Sequence, residues 1–268
     1  REKSSLIKLY KSIAMLYNVA IGTIMLELEK QRWDRIKTVG DFLDFLEDPD
    51  ADILSWMSQN IDKRLSGFWI GARVKFNIDV DELIKEKPQI GSTEISPLTR
   101  VPAEVKHHNQ YKYGNGYNRH TINKDLAKIV EALGFEEGYS AFINNQPPAT
   151  VVHRHIDFLS CWTYEQGTDI RSLEYDKILK QPKGTKPVYR CFVALDDWHP
   201  GQIVNFEPNF WTEWKKGDVL FFDWRNTPHS TANCGKKDRP LLKITGTLKD
   251  PAYVDEARQN KLVKTLIA

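Results

Sequence analysis

At 268 residues, with 41% hydrophobic content, the chain can form one large domain or two small ones around a full core. Its 38 basic residues nearly cancel its 36 acidic ones, and a net charge of +2 excludes a global electrostatic footprint for nucleic acid. The three cysteines, Cys161, Cys191 and Cys234, make no CxxC pair, which argues against a zinc site or disulfide framework and for a reducing, cytoplasmic setting.

The first third reads helical. Leu6, Leu9, Tyr10, Ile13, Leu16 and Tyr17 recur at three- and four-residue steps and make an apolar stripe. The stretch Ile13 to Leu28 follows Lys8 and Lys11 in the manner of a signal peptide. Asn18, Gly22 and Thr23 interrupt it, no small-residue cleavage site follows, and it is too polar to span a bilayer. No membrane role is therefore expected. A second helix starts near Thr38, carries Phe42, Leu43, Phe45 and Leu46, and ends at Asp48-Pro49-Asp50. A third runs from about Ile53 to Leu65.

From Phe68 the pattern becomes β-type. Phe68-Trp69-Ile70, Ala141-Phe142-Ile143 and Thr150-Val151-Val152 are short apolar runs separated by Gly, Pro and Asn. One helix, about Lys124 to Leu133, interrupts them and stops at Gly134. Further strands are expected over Tyr189–Leu195, Val219–Trp224 and Leu241–Thr247. Residues 164–186 form a charged insertion, read as a part-helical lid or outer loop. The organisation is thus α+β and mainly β: an N-terminal helical extension over 1–66, packed on a domain over 67–268. Many short strands with spaced turns suggest a sandwich or barrel.

The residues that carry chemistry are His155-Ile156-Asp157, then His229, then Arg239 ten positions further on. Alternation along a strand places His155 and Asp157 on one face, as two cis ligands of one metal require, and gives His153 the same parity. A buried strand ending at Trp224 and a short turn can deliver His229 to the same point. Two imidazoles and one carboxylate leave adjacent coordination positions open, as in non-haem Fe(II) oxygenases, although Zn or Mn also suit this set. The planar fork of Arg239 matches a carboxylate in a bidentate manner and stays charged when desolvated.

Taken together, these motifs resemble the Fe(II)/2-oxoglutarate-dependent dioxygenases over about Gly138 to Thr247. The resemblance implies a double-stranded β-helix (jelly-roll) core. It implies Fe(II) held by His155, Asp157 and His229, the distal carboxylate of 2-oxoglutarate on Arg239, and O2 as the oxidant. Succinate and CO2 would be released as a C–H bond is hydroxylated. Asp157 disfavours a halogenase, whose relatives carry Gly or Ala there. The phrases Trp214 to Phe222 and Tyr189 to Leu195 look like the prolyl- and aspartyl-hydroxylase branches, which favours an amino-acid or peptide side chain as substrate. Asn144 and Gln146 are spaced from His155 like the co-substrate segment of alkylated-base demethylases. Two positions depart from the pattern. Leu241 stands where many relatives carry Ser, and Gly201-Gln202 stands where prolyl hydroxylases carry Gly-Gly.

Alternatives remain at this stage. A cupin-type metal enzyme without 2-oxoglutarate would use His153, His155 and His229, with Asn233 four residues after the distal histidine. A nucleobase-directed oxygenase is the other. Arg190 is expected either to meet a substrate carboxylate or to pair with Asp196 or Asp197. His107, His108 and His120 read as solvent or loop residues. Lys177, Lys180, Lys183 and Lys186 form a basic run, most simply a solvated one. The oligomeric state is left open.

Overall fold

The structure is a computed structural model that describes residues 27–28, 30–47, 67–85, 118–155, 169–177, 181–207, 209–224, 226–260 and 264–268. The expected stripe over Leu6–Tyr17, the helix over Ile53–Leu65, His107, His108, Lys180 and Asp157 lie outside the described residues.

In chain order the elements are α1 (Val39–Glu47), β1 (Phe68–Lys75), α2 (Val80–Lys85), β2 (Asn118–Thr121), α3 (Lys124–Ala132), β3 (Ser140–Gln146) and β4 (Thr150–His155). Next come a 3-10 turn (Ile170–Ser172), β5 (Tyr175–Asp176), β6 (Gln181–Pro182), β7 (Tyr189–Ala194), β8 (Gln202–Phe206), β9 (Asn209–Trp211) and β10 (Asp218–Phe222). The chain closes with β11 (His229–Asn233), β12 (Arg239–Gly246), α4 (Ala252–Asn260) and β13 (Lys264–Ile267). The contacts divide the chain into two compact units, one of residues 1–60 with 168–183, the other of 61–167 with 184–268.

In the smaller unit, α1 begins with a reciprocal cap. The Thr38 hydroxyl accepts the Asp41 N–H at 3.1 Å, and the Asp41 carboxylate accepts the N–H groups of Thr38 and Lys37 at 2.9 Å. Those backbone donors hold the Asp41 carboxyl below its ordinary value. Phe42 stacks on Tyr175 with ring centroids 4.4 Å apart, and Trp33 meets Phe42, Phe45 and Tyr175 edge-on. The described part of the insertion therefore folds with the helical N-terminal segment. Arg171 pairs with Asp44 and Lys183 with Glu174, while Lys177 donates to the Asp34 carbonyl. In the larger unit Lys186 pairs with Glu136. Three members of the basic run are thus bonded within their own units, as a solvated charge run would be.

The larger unit holds a seven-stranded sheet, ordered β13-β1-β10-β7-β12-β3-β2, and a four-stranded sheet, ordered β4-β11-β8-β9. The double-stranded β-helix is not formed. Among the described residues the two hydrogen-bonded ladders stay separate, neither sheet curls into a barrel, and the fold is a mixed, sheet-rich α/β arrangement. β1 and β13 at one margin and β2 at the other widen the large sheet to seven strands. Local strand patterning does not determine whether a sheet closes; the ladder at its margins does.

Alternation along the central strands gives the large sheet two apolar faces. One carries Val193, Val219, Phe221, Leu242 and Ile244, and packs with Leu126, Ile129 and Val130 of α3 and Val254 of α4. The Asn123 side chain caps α3 by accepting the N–H groups of Asp125 and Leu126, and Gly134 ends the turn beyond it at φ +78°. The other face carries Phe192, Ala194, Leu220, Phe222 and Leu241, and packs with Val204, Phe206 and Trp211 of the small sheet. Of the candidate site residues, Arg239, Asn144 and Gln146 belong to strands of this second face, and His229 to the small sheet, its ring beside Phe222.

Candidate functional site

His229 follows β10, whose five residues are all buried. Beyond β10 the Asn226 N–H donates to the Asp223 carbonyl at 3.0 Å. The Thr227 hydroxyl then accepts the Gly67 N–H at 3.1 Å, which ties the turn to the start of β1. His229 opens β11 as a buried strand residue, not a loop histidine. Its ring lies 5.7 Å from Phe206 and 5.1 Å from Phe222. Its Nδ1 lies 3.1 Å from the Thr227 carbonyl. A carbonyl only accepts, so Nδ1 carries the hydrogen and, in the neutral ring, Nε2 carries the lone pair. Metal-binding histidines are commonly oriented by such a bond.

His155 ends β4 at the register position opposite His229. Directly opposed residues of an antiparallel pair lie about 4.5–5.5 Å apart at Cα. The next register pair is Thr231 with Val152, so β4 holds one extra residue between them. This bulge puts position 155 on the same row parity as Val152. The strict alternation expected from His153 to His155 therefore does not hold for the backbone there. His155 is described by its backbone alone, and Asp157 lies outside the described residues. Among the described residues no group of three His, Cys, Asp or Glu side chains forms a metal cluster.

Arg239 opens β12 and is buried, 4% exposed. Its Nη1 donates to the Ile203 carbonyl at 3.2 Å, and its Nε has no hydrogen-bond partner among the described residues. Desolvation lowers this guanidinium to about 9, so it is still a cation at neutral pH. Ile203 is the register partner of Ala232, three residues along β11 from His229. At about 3.4 Å per residue that is roughly 10 Å of strand. The buried cation of Arg239 is thus bonded to the strand that pairs with the one carrying His229.

Gln146 is the register partner of Arg239. Its Nε2 donates to the Thr150 carbonyl at 3.1 Å, and its Oε1 accepts the Thr231 hydroxyl at 3.0 Å. Its amide links the two sheets through one of its two N–H donors and one lone pair of its oxygen. Asn144, two residues earlier on β3, is buried with its Oδ1 unpartnered among the described residues. Thr231, Thr227 and the ring walls Phe206 and Phe222 were not legible as site residues. No motif marks them, and only the register of β11 brings them together.

Other expectations are revised. His120 is buried on β2 instead of lying in a solvated loop. Arg190 is buried, donates from Nε to the Thr245 hydroxyl at 2.9 Å and lies 5.0 Å over the Trp224 ring. Asp196 pairs with His199, and Asp197 accepts the Lys216 N–H. Burial pushes the Cys191 thiol up, as suits a small core residue.

No family model matches the chain, and no curated protein matches it. Among solved structures, a Pseudomonas putida prolyl-4-hydroxylase is similar over 72% of this chain and 99% of its own, at 11% identity and TM-score 0.36. A viral collagen prolyl hydroxylase of Paramecium Bursaria Chlorella virus-1 is similar over 50% and 81%, at 12% identity and TM-score 0.32. A Cupin 2 conserved barrel domain protein from Salinispora arenicola is similar over 55% and 87%, at 10% identity and TM-score 0.28. Both cupins and hydroxylases are thus represented, and values this low select neither branch nor reaction. Among the described residues no helix is long and apolar enough to cross a membrane.

Proposed function

We propose that this chain is an Fe(II)- and 2-oxoglutarate-dependent oxygenase that hydroxylates a C–H bond of an amino-acid or peptide side chain, as in the prolyl- and aspartyl-hydroxylase branches. The observation that carries the reading is Arg239, a buried cation whose Nε has no partner among the described residues and whose Nη1 bonds the strand beside β11, which carries His229. Burying a charge without a countercharge is costly, and structures tolerate it chiefly where a ligand supplies the opposite sign. In this reading Arg239 takes the distal carboxylate of 2-oxoglutarate, with Asn144 beside it on the facing strand. His155, Asp157 and His229 would hold the iron.

The donor set suits such an ion. The Nδ1–H of His229 donates to Thr227, which presents Nε2 as the ligating atom and fixes the ring plane. Imidazole and carboxylate leave positions open for a chelating keto acid. When bound, the iron and 2-oxoglutarate supply the oxidising power drawn from O2, with succinate and CO2 as by-products. The chain's own part is to bind, orient and dry the site. Phe206 and Phe222 wall the His229 ring, and Thr231 with Gln146 bridges the sheets between His229 and Arg239.

A cupin-type reading leans on Asn233, but that side chain is committed to backbone partners: it donates to the Gln146 and Lys237 carbonyls and accepts the Gly235 N–H. Titration of Arg239→Ala with 2-oxoglutarate and with Fe(II) tests the proposal. The concentration of 2-oxoglutarate needed for turnover should rise on the order of 10- to 100-fold, from the loss of charge-assisted bonds, with the iron requirement nearly unchanged. An unchanged 2-oxoglutarate requirement would remove the anion from this reading.

A further inference from the structure

Arg239 does not hold its own position. It follows the turn 234–238, and that turn is fastened by two buried amides from outside it. Gln202, at the start of β8, donates from Nε2 to the carbonyls of Lys237 at 3.2 Å and Asp238 at 3.1 Å, the two residues before Arg239. Asn233, at the end of β11, donates to the Lys237 carbonyl at 2.8 Å and to the Gln146 carbonyl at 2.7 Å. Its Oδ1 accepts the Gly235 N–H at 3.1 Å. A third amide, Asn145, donates to the Asp238 carboxylate at 2.8 Å.

The neighbouring turn at Gly201 closes against this one backbone to backbone. The Cys234 N–H donates to the Gly201 carbonyl at 2.8 Å. A Cβ on Gly201 would sit 2.6 Å from the Gly235 nitrogen, and one on Gly235 would sit 2.6 Å from the Pro200 carbonyl oxygen. Gly201 also has φ +94°, so glycine is demanded there twice over. The close approach places Gln202 directly against the 234–238 turn.

We infer that Gln202 and Asn233 are positioning residues for Arg239: they fix the backbone from which the guanidinium reaches its anion. Gln202 stands where the sequence departs from the Gly-Gly of prolyl hydroxylases, and here the departure supplies two bonds to the anchor's own turn. Both amides are essentially fully buried, so their lost partners cannot be replaced cheaply by water. Neither side chain needs to touch the ligand. The consequence falls on the carboxylate held by Arg239 and not on the metal end, because His229 is fixed separately through Thr227.

The inference rests on the proposed 2-oxoglutarate site, and a pair of ligands separates the two. Pyruvate shares the keto-acid head of 2-oxoglutarate and lacks the distal carboxylate. Calorimetric titration of the full chain, loaded with Mn(II) without oxygen, is made with each acid for wild type, Gln202→Met and Asn233→Ser. Methionine keeps the length of Gln202 without its donors, and the Asn233 variant stands in if Gln202→Met does not fold. For either variant, affinity for 2-oxoglutarate should fall roughly 3- to 30-fold, from one or two hydrogen bonds lost, while pyruvate and Mn(II) affinities stay at wild-type values. A wild-type preference for 2-oxoglutarate that survives in both variants overturns the positioning role alone, as does an equal loss for both acids. A wild-type chain that binds 2-oxoglutarate no better than pyruvate overturns the functional reading and the inference with it.

Discussion

The two faces of the seven-stranded sheet are made by alternate residues of the same strands, yet they are built differently. One face is mainly apolar, with Val193, Val219, Leu242 and Ile244 packed with α3 and α4, and its buried polar residues His120 and Asn145 lie at the β2–β3 margin. The other mixes aromatic rings with buried polar groups: Arg239, Arg190, Gln146 and Asn144. On β12, Leu242 and Ile244 face the helices, while Arg239 and Leu241, on the alternate positions, face the small sheet. Burying an arginine whose Nε has no partner among the described residues costs stability. On the proposed function, the contrast separates residues that serve stability from residues that serve a ligand.

That separation can be broken by experiment. The largest effect is expected on the helix-covered face: Leu242→Ala should cost about 2–5 kcal/mol in urea denaturation, as fully buried leucines do. If it folds, it should bind 2-oxoglutarate like wild type. Arg239→Met should do the reverse. Affinity for 2-oxoglutarate should drop about 10- to 100-fold, while the denaturation midpoint holds or rises, because a desolvated cation has been removed. A large loss of stability in that variant would mean that Arg239 is a structural residue.

Smaller effects sharpen the picture at the metal end. Thr227→Val removes the hydroxyl that ties the turn to Gly67, and metal affinity should weaken about 10-fold, the low end for groups that orient a ligand. Calorimetry with Mn(II) reads this directly, and unchanged affinity would show that the turn holds His229 without that tie. In the native protein, an alkylating reagent should modify exposed Cys234 well before Cys191, which is fully buried with its thiol pushed up. Mass mapping of the labelled peptides gives the order. Early labelling of Cys191 would mean that the helix-covered face opens readily.

What was legible in the sequence follows from where side-chain pattern and backbone agree. Thr38 marks the start of α1, and Lys124 to Leu133 with Gly134 marks α3, because these signals are local. The strands β7, β10 and β12 are apolar on both faces and read clearly. β11, His229-Ser230-Thr231-Ala232-Asn233, has almost no apolar residue, and β2, Asn118-Arg119-His120-Thr121, has none, so neither gives a periodic signal. In β8 the inward position at the strand start is Gln202, a polar residue that the turn beside it requires. The open sheets were missed for another reason: β1, β2 and β13 widen the large sheet through pairings between residues far apart in sequence. The motif residues His229 and Arg239 were legible by spacing. The residues that orient them, Thr227, Gln202 and Asn233, act through backbone carbonyls or the backbone of a turn, which no motif records.

The most direct test of the central claim is succinate formed from 2-oxoglutarate by the chain with Fe(II) and O2, measured without added substrate, in wild type, Asp157→Ala and His229→Ala. The expected result is iron-dependent succinate from wild type and none above background from either variant. Succinate production by Asp157→Ala equal to that of wild type would contradict the iron assignment.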